Sequence, residues 1–248
     1  MGALKLMKIE ALILKRSPLG EHDRLVTVLS RDQGKKRVVA RGAGKMVSKL
    51  SGLIQPYDRV QLDLWRGRTL DGIRGGEVLE SFRGLRDDFK RIIYAACMAE
   101  VGEQLAQEEN PDEPLYLLLL TCFRGLLRLK KMDLVLLFFI IRAMKVAGFL
   151  PAFETCSRCG AHFRGDVQFD LASGQVICLE CSEGRGRMGL ESASRVLLQS
   201  LRGVHPRELN TISCDPQRCR QLRETMLDFA EYHLSRPVKS RRFLDILD

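Results

Sequence analysis

The apolar positions of this chain change their period once, near residue 81, and the change divides the sequence into two parts. Across residues 9–80, short β-branched runs alternate with turn residues, at 9–14, 25–29, 37–41, 60–64 and 70–79. Each run reads as a strand. The period of two is clearest in the fourth, where Val60, Leu62 and Leu64 share one face and Gln61, Asp63 and Trp65 the other. One side of the sheet is therefore buried and the other wet. A parallel sheet would need crossover helices between the runs, and none is present, while Gly34, Gly67, Gly72, Gly75 and Gly76 mark bends. A small closed barrel of the OB-fold type is expected.

From residue 87 onward the spacing becomes helical, at 87–107, 113–131, 134–147, 191–201 and 216–234, with Asn110, Pro111 and Pro114 marking the first break. The segment 134–147 is apolar on nearly every face, which predicts a central helix covered on all sides. The fold class expected is α+β: an OB-fold domain over 1–81, then a helical domain over 82–248 with a zinc-finger insertion at about 154–187.

A length of 248 residues with 45% apolar and 29% charged residues fits a folded chain of one large domain or two. The longest apolar run, 134–141, has eight residues, well short of the roughly 18 to 20 needed to span a membrane. Near the N-terminus Glu10 precedes any apolar stretch and no small-residue cleavage site follows. No secretory signal and no membrane partner are expected, and the location implied is cytoplasmic, associated with the nucleoid.

The formal charge of +9 is unevenly placed: residues 1–80 hold 16 Lys and Arg against 9 Asp and Glu, and residues 81–248 hold 24 against 22. Between Arg31 and Lys49 seven basic residues face one acid, Asp32. Such a cluster marks a polyanion-binding surface. Lys35, Lys36, Arg37, Arg41, Lys45 and Lys49, with Arg66 and Arg68 after the fourth strand, are the candidate nucleic-acid contacts. Gly42 and Gly44 either bring the loop backbone close to phosphates or simply turn the chain. A second basic group, Arg236, Lys239, Arg241 and Arg242, reads as a solvated tail. Tyr57 and Trp65 are the only aromatic residues in 1–80, so binding is expected to be electrostatic and blind to base sequence rather than built on stacking.

Eight cysteines in a chain without a secretory signal point to metal or buried thiols. Cys156 and Cys159 form one C-x-x-C pair, Cys178 and Cys181 a second, and the 18 residues between the pairs are typical of a zinc ribbon. Four cysteines predict a closed, structural zinc site, one per chain. His162 is near enough in sequence to replace one of them but reads as a loop histidine. Cys97, Cys122, Cys214 and Cys219 have no fitting spacing and read as buried or idle thiols.

Enzymatic motifs fail on context. Residues 184–189 match G-x-G-x-x-G, but a cysteine turn precedes them instead of a strand. Gly44-Lys45 resembles the end of a phosphate loop, yet Val39 and Met46 occupy the positions of its first glycine and its Ser or Thr. None of the four histidines supplies the His-x-Glu of a zinc deaminase. No catalytic residues and no nucleotide are expected.

Several segments carry a wider resemblance. They are Ala-Leu-Ile-Leu-Lys-Arg-Ser-Pro-Leu-Gly-Glu-His-Asp-Arg-Leu-Val-Thr at 11–27, Ala-Arg-Gly-Ala at 40–43 and Ser-Lys-Leu-Ser-Gly-Leu-Ile-Gln-Pro at 48–56. Ala-Gly-Phe-Leu-Pro at 147–151, the first cysteine pair with Gly160, and Phe169, Ser173 and Gly174 before the second pair complete the set. Together they resemble the DNA recombination and repair mediator family RecO over nearly the whole chain. The resemblance implies an OB domain, a helical domain with a zinc finger, and a function without turnover. That function is binding single- and double-stranded DNA, annealing complementary strands and, with RecR, helping to load RecA onto strands coated by single-stranded DNA-binding protein. It also implies docking of that protein's acidic, hydrophobic C-terminal tail on the helical domain, with Arg142 and Lys145 as candidate contacts. One departure stands out: the family often carries Phe-Glu-Leu in the central helix, and this chain has Phe139-Ile140-Ile141. An RNA-binding or transcriptional regulator, or a nucleic-acid enzyme, would share some of these modules.

Overall fold

The computed structural model describes residues 6–182 and 188–247. The chain forms two compact units, Met1–Arg128 with Ser240–Asp248, and Leu129–Lys239.

In the first unit, five strands close into a barrel: β1 (Leu6–Leu19), β2 (Asp23–Ser30), β3 (Gly34–Ala40), β4 (Arg59–Trp65) and β5 (Asp71–Glu80), in the order β1-β2-β3-β5-β4. Every neighbouring pair is antiparallel except β3 with β5, which run parallel through Val38–Asp71 and Val39–Gly72. This is the five-stranded closure expected of an OB barrel. β1 runs past the predicted stop at residue 14 because it serves two neighbours. Its first half pairs with β4 and its second half with β2, and a register shift between Ile13 and Lys15 bends it from one to the other. Beyond Leu14 its residues are mostly exposed, so they carry no alternation for the sequence to show.

The interior is filled by Ile9, Ala11, Ile13, Val26, Val28, Val38, Ala40, Val60, Leu62, Leu64 and Ile73, with Leu53 and Ile54 packed into the same core from the short helix α1 (Lys49–Leu53) and its C-cap. Burying each large aliphatic side chain contributes about 1.5–3 kcal/mol, so filling the barrel stabilises its closure.

The barrel leads into helices through a buried carboxylate. Asp58 is 2% exposed and accepts from the Phe82 N–H at 2.6 Å and from Arg86 Nη1 at 2.6 Å. These bonds anchor α2 (Arg83–Arg86) beside the start of β4. α3 (Phe89–Leu105) is capped by Asp88, whose carboxylate accepts from the N–H groups of Lys90 and Arg91. α4 (Glu113–Arg128) faces the strands through Tyr116, which donates to Glu10 at 2.8 Å, and Arg124, which binds both oxygens of Glu80. Tyr57 and Phe82 each meet the Phe123 ring at a steep angle, with centroids 5.4 and 5.8 Å from it. Strands give way to helices at 81–86, but these contacts carry the compact unit on to Arg128. The C-terminal segment also belongs to this unit: Ser240 donates to Glu100 through N–H and Oγ, and Leu244 is fully buried.

In the second unit, α5 (Met132–Val146) is buried from Leu134 through Ile141 and again at Ala143 and Met144. It is the helix covered on all sides that its apolar pattern predicts. α6 (Ser192–Gly203) and α7 (Pro216–Leu234) pack against it. Asp215 caps α7 by accepting from the Arg218 N–H. The fully buried Arg223 of α7 pairs with Asp133 in the first turn of α5 at 2.5 Å. Between α5 and α6 lies a small antiparallel sheet of β6 (Val167–Asp170), β7 (Gln175–Cys178) and β8 (Met188–Leu190), in the order β7-β6-β8. Among the described residues, no helix is long and apolar enough to cross a membrane.

Candidate nucleic-acid interface and metal centre

The two cysteine pairs meet because β6 and β7 form a hairpin that returns the chain to the first knuckle. Ser157 donates its N–H to the Val176 carbonyl at 2.9 Å, and its Oγ accepts from the Val176 N–H at 3.3 Å. The first knuckle is closed by hydrogen bonds from Gly160 N–H to the Cys156 carbonyl and from Cys156 N–H to the Ala161 carbonyl, both 2.9 Å. Gly160 turns the chain at φ +72°, a region that favours glycine. Cys178 ends β7, and Cys181 closes the single 3₁₀ turn Leu179–Cys181.

All four Sγ atoms lie within 4.8 Å of one another, with Cys159 and Cys178 at 4.0 Å. Tetrahedral ligation at about 2.3 Å per bond would place sulfurs about 3.8 Å apart. The donor set therefore fits a four-thiolate metal centre, and the four cysteines together could hold a metal ion. Burial alone would raise the Cys156 thiol, but N–H donors from Cys159, Cys178 and Arg158 outweigh it and hold the group down at about 6. Cys181 is pushed up to about 12 by hydrogen bonds with the thiols of Cys178 and Cys159. An ion bound here would have all four positions filled by protein, which leaves none for water and assigns it to holding the fold. His162 is exposed, paired through its backbone with Thr155, and stands outside the cluster. The zinc-finger boundary at 187 and residues 184–187 of the G-x-G-x-x-G match lie outside the described residues.

The predicted basic contacts divide in two. On β3, Lys35 donates to the Glu103 carbonyl at 2.8 Å, Lys36 is 11% exposed between Asp71 and Glu109, and Arg37 pairs with Glu108 at 3.2 Å. These three are tied to groups of their own unit. The loop after β3 differs: Lys45 and Lys49 are exposed and have no ion pair among the described residues. Arg41 lies over the Trp65 ring at 5.0 Å, and Arg66 and Arg68 are exposed in the turn between β4 and β5. The fold also brings Arg16 of β1 and Arg24 of β2 beside Lys45, where with Gly44, Met46 and Ser51 they line a groove of about 420 Å³.

Gly42 and Gly44 are explained by this loop. Gly42 sits at φ +67° and donates to the Asp23 carboxylate at 2.8 Å, while Gly44 donates to the His22 carbonyl at 2.7 Å. A Cβ at Gly44 would stand 2.7 Å from the Arg24 guanidinium, so its absence lets Arg24 lie across the backbone. Arg16 and Arg24 lie outside the 31–49 cluster in the chain and are brought to its loop by the pairing of β1, β2 and β3. Their signal was membership of the 11–27 segment.

Residues 4–82 match the family described as Recombination protein O N terminal, and residues 86–242 match Recombination protein O C terminal. The chain belongs to the RecO family. Its relatives include the DNA repair protein RecO of Pelotomaculum thermopropionicum, 30% identical over 98% of this chain and 94% of that protein. The DNA repair protein RecO of Desulforudis audaxviator is 32% identical, with 97% of each chain covered. The family is one of DNA repair and recombination.

The remaining residues singled out by the RecO resemblance have defined places in the second unit. Phe139, Ile140 and Ile141, where the family often carries an acid, are fully buried, so the change to Ile140 adds to the core. Arg142 binds the last carbonyls of α6, Leu201 at 3.0 Å and Val204, and stacks on Phe138 at 5.1 Å. It neutralises the negative end of that helix. Lys145 borders a shallow pocket with Glu154, Val196, Gln199 and Arg202.

Proposed function

We propose that this RecO protein is a non-enzymatic mediator of DNA repair and recombination. It binds single- and double-stranded DNA, anneals complementary strands and, with RecR, helps load RecA onto strands coated by single-stranded DNA-binding protein. The observation that carries the DNA-binding part is the groove beside the β3–α1 loop, where Arg16, Arg24 and Lys45 converge without an acidic partner among the described residues. Lys49, Arg41, Arg66 and Arg68 extend this cationic surface, and Lys35, Lys36 and Arg37 add charge from β3, where carboxylates already neutralise Lys36 and Arg37 in part and the Glu103 carbonyl holds Lys35. Convergent cations bind phosphates on either strand type and release the condensed counterions. Neutralising two backbones at one surface lowers the repulsion between complementary strands, which is how annealing starts without any chemical step. The four-cysteine centre is read as a structural zinc site, and Lys145 is the cation open to the acidic tail of the single-stranded DNA-binding protein.

The test is annealing of complementary oligonucleotides coated with single-stranded DNA-binding protein, across a salt series, with zinc measured in the same sample. Acceleration that fades as salt rises, with one zinc per chain, is expected. Each phosphate contact contributes about 0.7 to the slope of log K against log salt on single strands, so Arg16→Ala with Lys45→Ala should flatten it by about 1.4. A folded, zinc-loaded protein that gives no acceleration would overturn the reading.

A further inference from the structure

The loop between β3 and α1 carries two apolar side chains that the fold does not use. Met46 is 103% exposed and Val47 97%, whereas the next most exposed large apolar residues among those described, Ile246 and Phe89, reach only 67% and 65%. Single exposed apolar residues are ordinary on a surface. Here two stand in sequence, at the tip of a loop whose base is fixed, and inside a set of cations. Hydrogen bonds from Gly42 to Asp23, from Gly44 to His22 and from Lys45 to Gly42 hold that base against the β1–β2 turn. Met46 also lines the groove that Arg16, Arg24 and Lys45 supply with charge.

The two aromatic residues of the barrel segment are both engaged by their own neighbours. Tyr57 is 6% exposed within the aromatic cluster, and Trp65 lies between Arg41 and the Cα of Gly72, where a Cβ would stand 2.1 Å from the indole. Binders of single strands take much of their sequence-tolerant affinity from contact with base faces, and apolar side chains, methionine among them, also enter base steps as wedges. We propose that Met46 and Val47 form such a wedge, contacting unstacked bases while Arg16, Arg24 and Lys45 hold the adjacent phosphates. The proposal rests on the DNA-binding reading above and adds to it a contact with bases that is apolar and therefore insensitive to salt. Charge complementarity selects the occupant: a polyanion seated on the three cations places its non-phosphate parts against the apolar tip.

The experiment compares the parent protein, Met46→Ser with Val47→Ser, and Arg16→Ala with Lys45→Ala. Each is titrated across a salt series with a single strand carrying 2-aminopurine and with the same strand made abasic at the contacted positions. Both tip residues are almost wholly exposed, so their replacement leaves folding intact, which an unchanged melting temperature verifies. The tip variant should bind the intact strand about tenfold more weakly, corresponding to loss of roughly one base contact. It should keep the parent's salt slope, lose the rise in 2-aminopurine fluorescence, and match the parent on the abasic strand. The cation variant should instead bind both strands more weakly and flatten the slope. Equal affinity and equal fluorescence for parent and tip variant, with the parent still binding in a salt-dependent way, would overturn the wedge and leave the DNA-binding reading standing. A parent that binds no DNA would overturn both. A tip variant that loses binding to phosphatidylglycerol vesicles while its DNA binding is unchanged would assign the tip to a membrane surface and also overturn the wedge.

Discussion

Replacing Asp58 with alanine tests the account of how the barrel is joined to its helices. The Asp58 carboxylate is 2% exposed and accepts from Phe82 N–H at 2.6 Å, from Ser81 Oγ at 3.4 Å, and from Arg86 Nη1 and Nη2 at 2.6 and 3.3 Å. The Arg86 side chain is only 16% exposed, so the alanine variant leaves a guanidinium largely out of water with the Pro56 carbonyl as a neutral partner. Breaking one side of such a pair costs about 3–5 kcal/mol. Against a typical domain stability of about 5–15 kcal/mol this is a large fraction, and at about 2–4 °C per kcal/mol the melting midpoint should fall by about 10 °C. Trp65 is the only tryptophan in the chain and sits in β4, so its fluorescence follows the barrel unit. Asp58→Asn, which keeps the shape and loses the charge, should fall between parent and alanine variant. A midpoint shift under about 2 °C for Asp58→Ala would refute the reasoning, because it would mean that the carboxylate contributes no more than an exposed pair does.

Two further outcomes are expected. Cys156→Ser with Cys178→Ser should reduce bound metal from one ion per chain to none and open the 154–182 segment to protease while leaving the Trp65 transition in place; metal retained at full stoichiometry by this variant would rule out the four-thiol site. The Arg124 hydrogen bonds hold the Glu80 carboxyl below its ordinary value of 4.5. A carboxyl depressed in the folded state contributes stability that is full above the unfolded value and is lost as pH falls through the folded one. Stability of the barrel unit should therefore drop on acidification below about 4.5, and Glu80→Gln should be less stable at neutral pH with a flatter acid limb. A variant whose acid limb is as steep as the parent's would exclude this pair as a source of the pH dependence.

Much of the molecule was legible from local pattern. The alternation of Val60, Leu62 and Leu64 placed them in the barrel interior, and the continuous apolar run of 134–141 placed α5 at the centre of its unit, because periodicity and burial are two views of the same geometry. The cysteine spacing foretold four thiols converging on one point, since two residues between sulfurs suffice for one tight turn to present both. Less legible was β1, whose outer half is exposed and so has no apolar rhythm.

What only the tertiary structure decided is which cations remain available and where the compact units divide. Lys35, Lys36 and Arg37 look, in sequence, as free as Lys45 and Lys49, yet the Glu103 backbone carbonyl that holds Lys35 and the carboxylates of Glu109 and Glu108 that pair with Lys36 and Arg37 lie some 70 residues further on and reach them only after the helices pack. Arg16, Arg24 and Lys45 become one groove for the same reason in reverse, being separated in the chain and joined by strand pairing. By itself the sequence determined the barrel strands, the long helices and the four cysteines that converge, all of which rest on short local spacings. Charge pairing and the division at Arg128 depend on side chains brought together across long separations, and no local period encodes which of two identical charges will meet its partner.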